Sequence, residues 1–162
     1  SLLPVLTGKT TAHREAIFTT HSNDNDMNVY PSRSMRTAQW KYIRNLHPEF
    51  RFTSHLDRSE GESSLAFIAS WEKAAASDPN AAFILNRYRE RPAEELYDLD
   101  NDPFELNNLA AESAQTSQLA AMREGLDAWM KKTNDQQKVA GKPLLLTDEF
   151  KLIGKVKKSP KP

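Results

Sequence analysis

The sequence predicts an α+β fold: a small antiparallel sheet of about four strands packed against a C-terminal helix, with a helical insertion before the last strand. Three observations carry this reading. Short stretches rich in aromatic and β-branched residues fall at 14–20, 29–46 and 94–99, bounded by polar or proline-containing turns. An apolar face at helical spacing, Leu119, Met122, Leu126 and Trp129, follows the last of them. A further helical pattern, 63–88, separates the third strand from the fourth. At 162 residues the chain suits one domain with its own core.

Taken in order, REAIFTT (14–20) reads as the first strand and SNDNDMN (22–28) as a polar loop. VYPSRSMRTAQWKYIRNL (29–46) reads as two strands, about 33–37 and 40–46, joined by a tight turn. Arg36, Lys41 and Arg44 are expected on the solvent side of that ribbon. Residues 47–62 carry no period and read as a loop. From Ser63 the pattern is helical, with Leu65, Ile68, Trp71 and Ala75 on one face. Asp78-Pro79 supplies an N-cap followed by proline at the first helical position. This second helix should run to about Tyr88 and bury Ala82, Phe83, Leu85 and part of Tyr88. Arg91-Pro92 ends it, because proline removes a donor and restricts the residue before it. Glu94 to Leu99 is the last strand. The tail from Thr133 is polar except for Pro143-Leu144-Leu145-Leu146 and Phe150 to Ile153, and 155–162 (KVKKSPKP) reads as disordered.

Composition narrows the function. Apolar residues make up 38% and charged residues 27%, and 22 basic side chains balance 22 acidic ones. A general attraction to nucleic acid or anionic membrane is not indicated, and no apolar run approaches the ~20 residues that span a bilayer. The absence of cysteine excludes disulfides, thiolate zinc sites and cysteine nucleophiles. The first residues, SLLPVLTGKT, have no signal-peptide layout and no initiating Met, which suggests a piece of a longer chain.

Several constellations invite chemistry. Asp98, Asp100 and Asp102 alternate as at the start of a calcium loop, which also needs a glycine at position 6 and a glutamate at position 12. Those positions hold Pro103 and Leu109. Asp102-Pro103-Phe104-Glu105 instead has a capping-box layout that would start one helical turn. The loop His21-Ser22-Asn23-Asp24-Asn25-Asp26 is either an exposed connection or a set of donors and acceptors for hydroxyls, sulfate or metal. Tyr30-Pro31-Ser32-Arg33 offers a serine with no histidine or lysine at a spacing that marks a nucleophile. Arg33 and Arg36 read as a solvated strand face that could also bind an anion. His13, His47 and His55 form no ligand pair and read as surface residues. Trp40, Trp71 and Trp129 read as core anchors, leaving little aromatic surface for a ligand platform. By spacing alone the chain holds no autonomous active site.

The stretch ELYDLDNDPFELNNLA (95–110) resembles the C-terminal signature of sulfatases, a strand ELYDL followed by DPxExxNLA. Glu95, Leu96, Tyr97, Asp98, Leu99, Asp102, Pro103, Glu105, Asn108, Leu109 and Ala110 agree with it. The block from Phe18 through Tyr30-Pro31-Ser32-Arg33-Ser34-Met35-Arg36 to Lys41-Tyr42-Ile43-Arg44-Asn45-Leu46 resembles the heparan N-sulfatase, sulfamidase-like branch. Trp71-Glu72, Asp78-Pro79 and RERPAEE (89–95) resemble its bacterial members. The resemblance implies an alkaline-phosphatase-like catalytic domain followed by a smaller subdomain with a four-stranded antiparallel sheet and a packed helix. Residues 1–135 would be that subdomain, with SLLPVLTG as the link to the catalytic part, and 136–162 a polar, partly disordered tail.

The resemblance further implies a sulfatase hydrolysing sulfate esters or N-sulfate groups, with sulfated glycans as the expected substrates. Its formylglycine, formed within a C/S-x-P-S-R motif, and its calcium belong to the catalytic domain, so no catalytic or metal residue is expected in this chain. Val29 stands where the cysteine or serine of that motif would be. His21, Ser22, Asn23 and Asp24 resemble a loop that such subdomains lend to the substrate pocket. The implied partners are the chain's own N-terminal catalytic domain and a sulfated carbohydrate, with no nucleic acid and no membrane, in the periplasm or outside the cell. The alternatives are a free-standing carbohydrate-binding or interaction module and a calcium-binding module built on Asp98, Asp100 and Asp102.

Overall fold

A computed structural model describes residues 1–24, 28–58 and 62–149. In chain order its elements are α1 (Leu3–Leu6), β1 (Ile17–His21), β2 (Ser32–Arg36), β3 (Trp40–Asn45), α2 (His55–Arg58), α3 (Glu62–Ala75), α4 (Pro79–Arg89), β4 (Glu94–Asp98), a 3-10 turn (Ser113–Gln115) and α5 (Thr116–Lys132). The four strands form one antiparallel sheet in the order β1-β2-β3-β4, and α2 to α4 fall between β3 and β4. The expected class and the helical insertion are both present. Strand β1 starts later than expected, because Arg14 and Glu15 stay exposed and outside the ladder. Contacts cluster into two compact units: Ser1–Thr20, Ser32–Arg44 and Glu94–Gln136 form the first, and His21–Pro31, Asn45–Ala93 and the described residues from 137 form the second.

The first unit is built around the β3–β4 pair, with Tyr42 opposite Leu96 and Arg44 opposite Glu94. One core cluster holds Tyr42, Leu96, Leu119, Met122, Leu126 and Met130, with Phe18, Met35, Trp40 and Trp129 around it. Leu119, Met122 and Leu126 occupy the expected face of α5, but Met130 rather than Trp129 completes the buried stripe. Trp129 is half-buried and stacks on Phe18, ring centroids 5.1 Å apart. Gly125 lets β2 approach the helix: a Cβ there would lie 2.7 Å from the Met35 Sδ.

Charge closes the edges of this core. The Arg123 guanidinium forks onto the Glu94 carboxylate, and the Tyr42 hydroxyl donates to it at 2.5 Å. Those contacts, the arginine's first, hold the Glu94 carboxyl below the usual range. Arg44 donates from Nε to the Tyr42 hydroxyl and from Nη1 to Asp127. Lys41 pairs with Glu105 at 2.6 Å. The expectation that Arg36, Lys41 and Arg44 share a solvated face is therefore corrected. Residues 41 and 44 are three apart in a strand, so they point to opposite faces, and each meets a carboxylate.

Arg33 is also corrected: it is buried, 4% exposed, and its Nε and Nη2 grip the Asp135 carboxylate while Nη1 donates to the Ser32 carbonyl. Asp135 is set in place by the end of α5. Asn134 takes a left-handed φ of 53°, and the Asn134 and Asp135 amides donate back to Lys131 and Met130. That is a Schellman ending with asparagine at the left-handed position.

Strand β4 is an edge, and the family-signature segment finishes it. The Asn108 side chain accepts from the Leu96 and Ala110 amides and donates to the Glu94 carbonyl, while the Leu109 amide donates to the Leu96 carbonyl. An edge strand with its amides so occupied offers no template for another chain. Replacing Asn108 with alanine should lower stability by about 1–2 kcal/mol in urea titration; an unchanged midpoint would show that water replaces the amide without loss.

In the second unit an aromatic chain runs from Tyr30 to Phe52, Tyr88 and Trp71, each pair edge-on at 5.4, 5.3 and 6.2 Å. Arg91 lies over the Phe52 ring at 5.0 Å. The loop expected over 47–62 contains α2, started by a capping box in Ser54-His55-Leu56-Asp57: the Leu56 amide donates to the Ser54 hydroxyl and the Ser54 amide to Asp57. Tyr88 donates to the same Asp57 oxygen at 2.5 Å, and its own burial, then this bond, push its hydroxyl above the usual range.

Helix α4 begins as expected, with the Asp78 carboxylate accepting from the Asn80 amide. Leu85 is buried, whereas Phe83, expected in the core, is 55% exposed. Positions 82, 85 and 88 share one face of the helix, and 83 lies about 100° away from 82. Trp71, expected as a core anchor, is 38% exposed. Residues 144–146 are drawn against 49–51: Phe50 bridges Leu145, the Arg51 amide donates to Leu144, and the Leu146 amide donates to Glu49. The expected apolar run Phe150 to Ile153 and the tail 155–162 lie outside the described residues, as do Asn25 and Asp26 of the polar loop.

Candidate functional site

The loop that follows β1 is tied at its base. The Tyr30 amide donates to the Ser22 carbonyl at 3.1 Å, and the His21 ring meets the Asn28 carbonyl through Nε2 at 3.2 Å. A carbonyl can only accept, so Nε2 carries the hydrogen in this contact. Asn28 adopts a left-handed φ of 46°, a conformation asparagine tolerates better than most residues. Val29, Tyr30 and Pro31 then bury their side chains and anchor the return of the chain. His21, Ser22 and Asn23 are half-buried and Asp24 is exposed, so the four expected residues step from an anchored base toward solvent. The Asn28 Oδ1 is buried with no hydrogen-bond partner among the described residues. This arrangement can donate and accept hydrogen bonds from a fixed base. Left-handed Asn28 and the buried Val29-Tyr30-Pro31 run are what hold it, and only the asparagine gave a local signal of the turn.

The other candidates resolve into structure. Asp98 accepts from Asn101 Nδ2 at 2.8 Å and from Gln39 Nε2 at 3.3 Å, and the first of these leads in holding its carboxyl below the usual range. Asp102 accepts from the Leu106 and Asn107 amides at 3.0 and 2.7 Å. The capping box expected at Asp102–Glu105 does not form. Glu105 is left-handed, with φ 56°, so the chain turns instead of winding on, and its carboxylate reaches Lys41. Among the described residues no group of three His, Cys, Asp or Glu comes together as a metal site. Ser32 lies on β2 beside buried Arg33, and His47 pairs with Glu49 and stacks on Phe50 at 4.5 Å. Among the described residues no helix is long and apolar enough to cross a membrane.

Comparison with known proteins gives this geometry a context. An ulvan-active sulfatase from Formosa agariphila is 29% identical over 153 residues, which is 90% of this chain and 27% of that protein. N-sulphoglucosamine sulphohydrolase from Homo sapiens is 28% identical over 136 residues, 83% of this chain and 26% of that protein. Among solved structures, a 2-O GAG sulfatase matches with a TM-score of 0.54 at 21% identity, over 88% of this chain and 22% of that one. A protein solved in complex with its substrate D-glucosamine-2-N,6-O-disulfate matches with a TM-score of 0.50 at 17% identity, over 86% of this chain and 21% of that one. At such identities the structural matches establish the fold. No family model matches the chain. The chain spans about a quarter of the length of these two curated relatives. With the signature at 95–110 seated on β4 and its edge, the chain is similar along most of its length to a C-terminal part of sulfatases, N-sulphoglucosamine sulphohydrolase among them.

Proposed function

We propose that this chain completes a sulfatase that hydrolyses sulfate esters or N-sulfate groups on sulfated glycans, and that His21, Ser22, Asn23 and Asp24 lend their loop to its substrate pocket. The observation that carries the reading is the match to sulfatases along 90% of this chain but only 27% of the relative's length. The nucleophile and metal ligands then belong to a catalytic domain. Calcium and formylglycine are proposed to belong to that domain as well. Leu3 and Leu6 of α1, 63% and 80% exposed, support a further protein surface packing against this subdomain. The periplasm or the cell exterior is the proposed location, where sulfated polysaccharide is met.

In the longer enzyme, His21→Ala should lower kcat/KM for a sulfated saccharide by roughly tenfold, the worth of one charge-assisted hydrogen bond. Unchanged kinetics would remove the loop from the pocket. Sulfate release by the isolated 162-residue chain would overturn the assignment of the chemistry to another domain.

A carbohydrate-binding module remains the second reading, and one observation favours it. The expectation of little spare aromatic surface is corrected by Phe67, Trp71 and Phe83, 57%, 38% and 55% exposed. A hollow of about 400 Å³ lined by Trp71, Asp78, Asn80 and Ile84 lies among α3, α4 and the turn between them. This reading requires neutral oligosaccharide to bind the isolated chain and Trp71→Ala to abolish that binding. Calorimetry showing no heat for the parent chain eliminates it.

A further inference from the structure

We propose that the groove carrying Arg14 and Arg36 binds the sulfate group of a sulfated saccharide, through residues other than the loop 21–24. The inference rests on the sulfated-glycan reading above and names a second contact for the same class of ligand.

Arg33 and Arg36 are indistinguishable in the sequence as strand arginines, and the fold separates them. Arg33 is buried on Asp135, and the neighbouring guanidiniums of Arg44 and Arg123 are engaged by Asp127 and Glu94. Arg36 ends β2 on the other face from Arg33, since three residues along a strand reverse the side chain's direction. It lines a groove of about 320 Å³ together with Arg14, Glu15, Ile17 and Thr37. Both Arg14 and Arg36 are exposed, and among the described residues neither side chain has a hydrogen bond or an ion pair.

Two exposed cations left unpaired beside one groove suit an anion from outside. A guanidinium presents its donors as a planar fork that matches two oxygens of a sulfate or carboxylate, which an ammonium cannot do. Two such forks can meet one tetrahedral group from two sides. Among the described residues Glu15 is the only carboxylate lining the groove, so the local balance there is positive and the carboxylate weakens anion binding. Ile17, 46% exposed, gives the groove an apolar floor against which a sugar ring can lie. The volume is that of a small-ligand cleft. As both cations face solvent, the interaction must weaken as salt rises.

The test is NMR of the full chain, following the Arg14 and Arg36 Nε–H signals during titration with a sulfated disaccharide, its desulfated counterpart and sodium sulfate. The sulfated sugar should shift both signals and the desulfated one neither. Arg14→Gln and Arg36→Gln should each weaken binding by about tenfold or more. Arg36→Lys, which keeps the charge without the fork, should weaken it less, and Glu15→Gln should tighten it. These side chains are exposed and unpartnered, so amide spectra of the variants should otherwise match the parent. Equal shifts with the desulfated sugar, shifts with sodium sulfate as large as those with the sulfated sugar at the same concentration, or full affinity in the Arg14→Gln/Arg36→Gln double variant would each overturn the proposal. Loss of sulfatase turnover in the longer enzyme with these shifts intact would instead strike the parent activity, and the two failures stay distinguishable.

Discussion

Arg33→Ala is expected to destabilise the sheet-and-helix unit by about 3–5 kcal/mol, the usual result of stranding one charge of a buried pair. The guanidinium is 4% exposed and its Asp135 partner 11%, so water cannot replace the lost contact cheaply. Urea titration would show the midpoint falling with little change in slope. The double variant Arg33→Met/Asp135→Leu should recover much of the loss, because a buried pair contributes little net stability beyond an apolar filling of similar size. Arg33→Lys keeps the charge but not the two-pronged grip, and should fall between the two. A midpoint in Arg33→Ala within about 0.5 kcal/mol of the parent would mean the pair is solvated in solution.

Leu126→Ala should remove about 2–5 kcal/mol, with the spread set by how far the core collapses into the space left behind. Leu126 is fully buried and belongs to the cluster of Tyr42, Leu96, Leu119, Met122 and Met130. The informative control is Phe83→Ala. Phenylalanine is the larger residue, but at 55% exposure its loss should move stability by only about 0.5 kcal/mol. If Phe83→Ala proved the more damaging, the exposed face of α4 would have to be covered in solution.

The fold was legible in the sequence wherever period and punctuation agreed. Leu119, Met122 and Leu126 fixed the inward face of α5, and Asp78-Pro79 fixed the start of α4. What escaped depended on partners distant along the chain. Arg33 reads as a surface arginine because its carboxylate lies 102 residues away. Helix α2 was hidden because four residues are too few to show a period, although Ser54-x-x-Asp57 was a readable cap. Asp102-Pro103-Phe104-Glu105 failed in the opposite direction: a local capping signal yielded to the left-handed turn at Glu105 and its pairing with Lys41. The candidate loop stood in the sequence as polar residues open to two readings, and the resemblance favoured the pocket. Its anchoring by Asn28, Val29 and Tyr30 needed coordinates, since no spacing rule joins the His21 ring to a backbone carbonyl seven residues on.

The ending of α5 limits how this chain can vary in length. Asp135 both follows the left-handed Asn134 and holds Arg33, so the helix behaves as a spacer with a fixed residue count. One residue added within Thr116–Lys132 would turn everything after it by about 100° and advance it by about 1.5 Å, carrying the carboxylate off its guanidinium. Point changes on the outer face of α5 should be absorbed with little loss, whereas insertions and deletions should not. Related subdomains that keep this clamp are therefore expected to differ in the composition of that helix before they differ in its length.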